Sequence, residues 1–143
     1  MQTVKIQLEV YKKIMLMCQE TCNETGGYLG KKGDIICEFE FDSGVKCENQ
    51  GIYKINSIKL NKVLTSWEFD NVILCGILHT HLTGEGQLSQ GDKMFMEKFM
   101  KYNKEIYTKF YFPIVLPKDK IIFYQATTCK ENVKIEKVPY CIV

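Results

Sequence analysis

The most constraining feature of this chain is an uninterrupted apolar run, Val72-Ile73-Leu74-Cys75-Gly76-Ile77-Leu78, that ends on His79-Thr80-His81. The run is too short for a membrane span. Its length suits a β-strand buried on both faces, in the middle of a sheet. Everything else must then be arranged to cover such a strand. Its polar end is equally constrained: residues i and i+2 of a strand point to one face, so His79 and His81 project side by side. They are the only two histidines in the chain.

Segments on either side supply that cover. Leu8 to Cys22 carries apolar residues at helical spacing, with Tyr11, Met15, Cys18 and Cys22 on one stripe. Asn23-Glu24-Thr25-Gly26-Gly27 ends this helix, and a strand follows from Tyr28. Lys31-Lys32-Gly33-Asp34 makes a hairpin turn. The next strand alternates, with Ile35, Cys37, Phe39 and Phe41 on one face and Glu38, Glu40 and Asp42 on a wet one. A short strand is expected near Tyr53–Ile55, then a helix with Leu60, Leu64 and Trp67 on its apolar side. A polar loop, Leu82 to Leu88, follows the histidines. It leads into a helix from about Gln90 to Tyr107 with Phe95, Met96, Phe99 and Met100 inward. Strands at Phe110–Leu116 and Ile121–Ala126 flank a Pro117-Lys118-Asp119-Lys120 turn, and a last strand runs from Val133 to Ile142. The fold class is α/β (mixed α+β) in a single domain, 1–143, without linker or repeat.

Composition removes several functions. Hydrophobic residues make up 45% and charged residues 25%, as in ordinary globular domains. The net charge of +2, with no basic run beyond a Lys-Lys pair, does not argue for a nucleic-acid partner. Charged residues interrupt every apolar stretch near the N-terminus, so no secretory signal is read there. The seven scattered cysteines read as reduced thiols, and a cytoplasmic protein without a membrane partner is expected.

Ser89-x-x-Asp92 follows the histidines. Taken alone it is a helix start, with Ser as N-cap and an acidic residue at N3. The same helix terminus, aimed at the strand end, would set Asp92 beside the histidines. Two imidazoles and one carboxylate leave a fourth position of Zn2+ open for water. Glu24 gains meaning from Gly26 and Gly27, which permit close backbone approach. It could serve as general base and then general acid, with Ser89 supporting an oxyanion. A strand edge beside the two glycines could also receive an extended peptide.

Glu24, then His79-x-His81, then Ser89-x-x-Asp92 resembles the pattern of the JAMM (MPN-plus, JAB domain) metalloprotease family without a spacing error. Glu24-Thr25-Gly26-Gly27-Tyr28-Leu29-Gly30 is similar to the family's Glu-x-x-Gly-x-Leu-x-Gly element. The resemblance implies one zinc ion held by His79, His81 and Asp92, with Glu24 as acid/base and Ser89 at the oxyanion. It implies a curved mixed sheet flanked by helices, akin to cytidine deaminases. It also implies hydrolysis of a peptide or isopeptide bond in a protein substrate, at the tail of a ubiquitin-like or sulfur-carrier protein. Leu82 stands where the family usually has Pro. The chain lacks room for long insertions and is closest to compact prokaryotic members. Three alternatives fit the same residues: a non-catalytic scaffold of the same fold, a RadC-like protein, and a cupin-type jelly roll using Glu85 as third metal ligand.

Overall fold

A computed structural model of the chain describes residues 2–19, 23–45, 53–84 and 86–143. The apolar run is β4 (Ile73–Thr80), and it lies inside the sheet as expected. On one side it pairs antiparallel with β2 (Gly26–Lys32). On the other it pairs parallel with β5 (Lys109–Tyr111) and β6 (Ile114–Leu116). β3 (Ile35–Asp42) continues from β2 through the turn at Gly33-Asp34, and β7 (Lys120–Cys129) lies against β5 and β6. Helices cover both faces. α1 (Leu8–Met17) inserts Val10 and Ile14 into one core with Leu29, Phe39 and Leu78. α2 (Ser57–Phe69) and α3 (Gln90–Tyr102) press Trp67, Met96 and Met100 onto the other face, against Tyr28, Ile77 and Phe112.

Two prolines divide strands that the sequence suggests are continuous. Pro113 lies between β5 and β6. Pro139 separates β8 (Asn132–Val138) from β9 (Tyr140–Ile142). A proline cannot donate to a ladder, so the chain bends there. The second bend has a large consequence. β8 pairs with β7 at one end of the sheet, whereas β9 pairs parallel with β1 (Val4–Ile6) at the other. One broken strand therefore links both ends and curls the sheet. β1, which the sequence reading missed, also pairs parallel with β3. These parallel pairings and three helices are not a jelly roll, which removes the cupin alternative; Glu85 lies outside the described residues.

Four further expectations need correction. The buried stripe of α1 is Val10, Ile14 and Cys18, with Tyr11 and Met15 at its flank; Cys22 lies outside the described residues. Tyr53–Ile55 forms no strand, and α3 stops at Tyr102. The face assigned to water on β3 is covered: Glu38 and Glu40 are half-buried and Asp42 is 1% exposed. Tyr28, Tyr53 and Asn56 close over Asp42 on that face, and a register shift separately alters the start of the strand. Gly30 pairs with Glu38 and Lys31 with Ile36, so Cys37 is an extra residue that reverses the alternation. Ile36, Phe39 and Phe41 consequently share one core, and Cys37 faces the other.

Candidate metal centre

His79 and His81 lie at the C-terminal end of β4. Backbone bonds fix this end from the β6 side: His79 N–H donates to Pro113 O (3.2 Å) and His81 N–H to Val115 O (3.0 Å). The loop after His81 returns the chain to α3. Gly86, at φ 81°, supports that return, and its carbonyl accepts from the Tyr124 hydroxyl at 3.0 Å. Ser89 then caps α3. Its Oγ accepts from Asp92 N–H (3.0 Å), and Asp92 Oδ2 accepts from Ser89 N–H (2.9 Å). The capping reading of Ser89-x-x-Asp92 thus holds in full. The same cap turns Asp92 toward the histidines.

The three side chains meet. Asp92 Oδ1 lies 3.1 Å from His79 Nε2, and Asp92 Oδ2 lies 3.1 Å from His81 Nε2. The two Nε2 atoms are 3.0 Å apart. Each side chain is 13–16% exposed, so the cluster is sheltered yet reachable from solvent. Burial opposes the charge on Asp92, but hydrogen bonds to both imidazoles and to Ser89 N–H outweigh it and hold the carboxyl far below its ordinary range. Asp92 in turn raises the His81 pKa, against the opposing effect of burial, and the negative charge of Glu24 adds to the rise.

The donor set fits a metal ion. Among the described residues, His79, His81 and Asp92 form a group whose ligand atoms lie within 4.8 Å of one another. Two imidazole nitrogens and a carboxylate are donors that zinc takes, and each imidazole faces its own oxygen of Asp92 at 3.1 Å. Protons alone serve this arrangement poorly. If both Nε2 atoms were protonated, they would face each other donor to donor, whereas a cation would use all the lone pairs at once.

Glu24 reaches the site from the neighbouring strand. Gly26 pairs with His79, Thr80 N–H donates to Thr25 O at 2.8 Å, and the next step of the register brings Glu24 beside His81. The side chain is half-buried, and its Oε1 accepts from Tyr53 N–H at 3.4 Å. Gly26 is required here, because a Cβ would stand 2.4 Å from Leu78 O and 2.5 Å from the Tyr53 ring. The free edge expected beside these glycines does not exist, since β2 is paired on both sides by β3 and β4. The five residues singled out from the sequence therefore gather at one end of the sheet. Asp42 and Tyr53, which frame the Glu24 side, were not singled out; both are recognisable only once β3 and the return at Tyr53 are in place.

No family model matches the chain, and no curated protein matches it. Solved structures do. A Desulfitobacterium hafniense protein determined in solution aligns with TM-score 0.65 at 12% identity, over 97% of this chain and 93% of its own. A JAB1/MPN domain protein from Archaeoglobus fulgidus aligns with TM-score 0.55 at 14% identity, over 95% and 97%. A structure described as a JAMM metalloprotease-like zinc site in the proteasome and signalosome aligns with TM-score 0.53 at 13% identity, over 98% and 99%. The chain has the JAB1/MPN fold. At these identities the likeness is one of fold. The group that could hold a metal ion is read from this chain's own residues, and it sits where β4 ends. Among the described residues no helix is long and apolar enough to cross a membrane.

Proposed function

We propose that the protein is a zinc-dependent hydrolase of the JAMM kind, cleaving a peptide or isopeptide bond in a protein substrate. The observation that carries this reading is the convergence of His79, His81 and Asp92 at 3.0–3.1 Å, with Glu24 just ahead of the adjoining strand. His79 Nε2, His81 Nε2 and one Asp92 oxygen would hold the ion. Bound there, zinc would act as a Lewis acid and lower the pKa of a water toward about 7. Glu24 is half-buried and close enough to His81 for its charge to be felt. Its carboxylate takes a proton from the attacking water and delivers it to the departing amine nitrogen. Ser89 Oγ already accepts from Asp92 N–H, which leaves its own proton to donate to the oxyanion at the scissile carbonyl.

The substrate class follows from the resemblance to JAMM enzymes: the flexible tail of a ubiquitin-like or sulfur-carrier protein, processed in the cytoplasm by a compact, prokaryotic-type member. Leu82 is half-buried and removes no ligand. The test combines elemental analysis with cleavage. Wild type and Glu24→Ala should each carry about one zinc per chain. Only wild type should cleave ubiquitin-like proteins bearing C-terminal extensions. Equal cleavage by both would overturn the role of Glu24, and absence of bound metal would overturn the reading as a whole.

A further inference from the structure

Thr80 stands between the two histidines and is completely buried. Alternation along β4 turns its side chain to the opposite face of the sheet, behind the metal centre. Its partner across the ladder is Thr25, 8% exposed and adjacent to Glu24. The pair is closed in an unusual way. In a regular antiparallel hydrogen-bonded pair each residue donates its N–H to the other's carbonyl. Thr80 N–H does donate to Thr25 O, at 2.8 Å. In the other direction, however, Thr25 N–H donates to the Thr80 hydroxyl, at 2.9 Å. A side chain thus takes the place of a backbone acceptor at the last rung before Glu24. By contrast, the contact on the Glu24 side chain itself, from Tyr53 N–H, is 3.4 Å long and correspondingly weak.

We propose that the Thr80 hydroxyl is a positioning group that anchors Thr25 N–H from behind the sheet, so that Glu24 projects at a set distance from His79 and His81. The inference rests on the hydrolytic reading of Glu24. It adds a residue that touches neither metal nor substrate. Thr25 N–H is sheltered from water, so without the hydroxyl it must either remain unpaired or pull the Glu24 segment out of register. Small displacements of a proton-transfer group are costly to rate and leave binding nearly untouched.

Thr80→Val keeps the shape and deletes the acceptor; Thr80→Ser restores it. In the metal-free protein, amide hydrogen exchange at Thr25 should be roughly tenfold faster in Thr80→Val and near wild type in Thr80→Ser. Zinc affinity, read by competition with a chromophoric chelator, should stay within about twofold in both, because no ligand changes. With ubiquitin carrying a C-terminal peptide extension, kcat should fall about tenfold in Thr80→Val at nearly constant KM and recover in Thr80→Ser. Wild-type Thr25 exchange in the Val variant would overturn the anchor. So would a kcat loss that tracks an equal loss of zinc, or one that Ser does not restore. The exchange measurement needs no substrate. Wild-type protein that cleaves nothing would overturn the hydrolytic reading, while the exchange result would still decide for or against the anchor. Should Thr80→Val not fold, Thr80→Ala carries the same comparison.

Discussion

Asp92 and Asp42 are both carboxylates drawn into the fold, and their partners differ in kind. Asp42, 1% exposed, accepts from the Tyr28 and Tyr53 hydroxyls and from the N–H groups of Gly44 and Asn56. Asp92 faces two imidazole nitrogens and the N–H of Ser89. The groups around Asp42 carry protons that they do not give up near neutral pH. Burial pushes the Tyr28 and Tyr53 hydroxyls above their ordinary range, and the charge of Asp42 pushes them further. The network is saturated with donors and offers a cation nothing. Around Asp92 the partners are nitrogens that, when neutral, have a lone pair to give. The two clusters thus separate a structural carboxylate from a ligand by the protons of their neighbours, with burial a secondary matter.

Substitutions at the two aspartates test this contrast most directly. Asp92→Ala removes one of three ligands, a share of the typical zinc-binding free energy worth about 4 kcal/mol, or roughly a thousandfold in affinity. Chelator competition should show that loss. Denaturant unfolding of the metal-free variant should show the missing cap, about 1 kcal/mol, together with the loss of the carboxylate's contacts to His79 and His81. Retention of zinc by Asp92→Ala would erase the distinction.

Asp42→Asn should behave in the reverse manner. It replaces an acceptor-only group by one that presents an NH2 to surrounding donors, and should cost about 3 kcal/mol in unfolding free energy at pH 7 with zinc stoichiometry unchanged. Its pH dependence gives an independent reading. Burial raises the Asp42 pKa, but the four hydrogen bonds win and hold it below the ordinary carboxyl value. A carboxyl with a depressed folded pKa contributes stability that is complete above its unfolded value, near pH 4, and is lost as pH falls through the folded one. Wild type should therefore lose stability on acidification below about pH 4, and Asp42→Asn should lose less over the same interval. Parallel acid limbs for the two proteins would show that Asp42 is not the group responsible.

Ser89→Ala is the mildest change and divides the two roles of the cap. Loss of the Oγ acceptor should cost about 1 kcal/mol of stability. Zinc affinity should drop by less than about tenfold, because Ser89 N–H still donates to Asp92. A larger drop would mean that the hydroxyl, and not the backbone, holds Asp92 toward the histidines.

The ligand corner was legible because it is local in sequence. A buried strand, a loop and a helix start bring His79, His81, Ser89 and Asp92 within one continuous segment, and each step has its own residue signal. The cap at Ser89-x-x-Asp92 is the same arrangement that turns Asp92 toward the histidines. The Asp42 corner had no such signal. Ile35 to Asp42 reads as a strand with one wet face, and only Tyr28, Tyr53 and Asn56, brought there by the fold, cover Asp42. The three-residue β1 was likewise invisible, because Val4-Lys5-Ile6 becomes a strand only through β3 and β9 on either side of it.

By itself, then, the sequence determined a central apolar strand, the helices that cover it, and a candidate metal-ligand set at its end, because periodicity and short spacing are local properties. Tertiary structure alone decided that β8 and β9 join the two ends of the sheet, that Asp42 is buried, and that Glu24 arrives beside His81 from a distant part of the chain, next to a Thr25–Thr80 bond that spans 55 residues. Those outcomes depend on strand register and on the packing of remote residues. Both are set by pairing between distant segments and have no counterpart in any one of them.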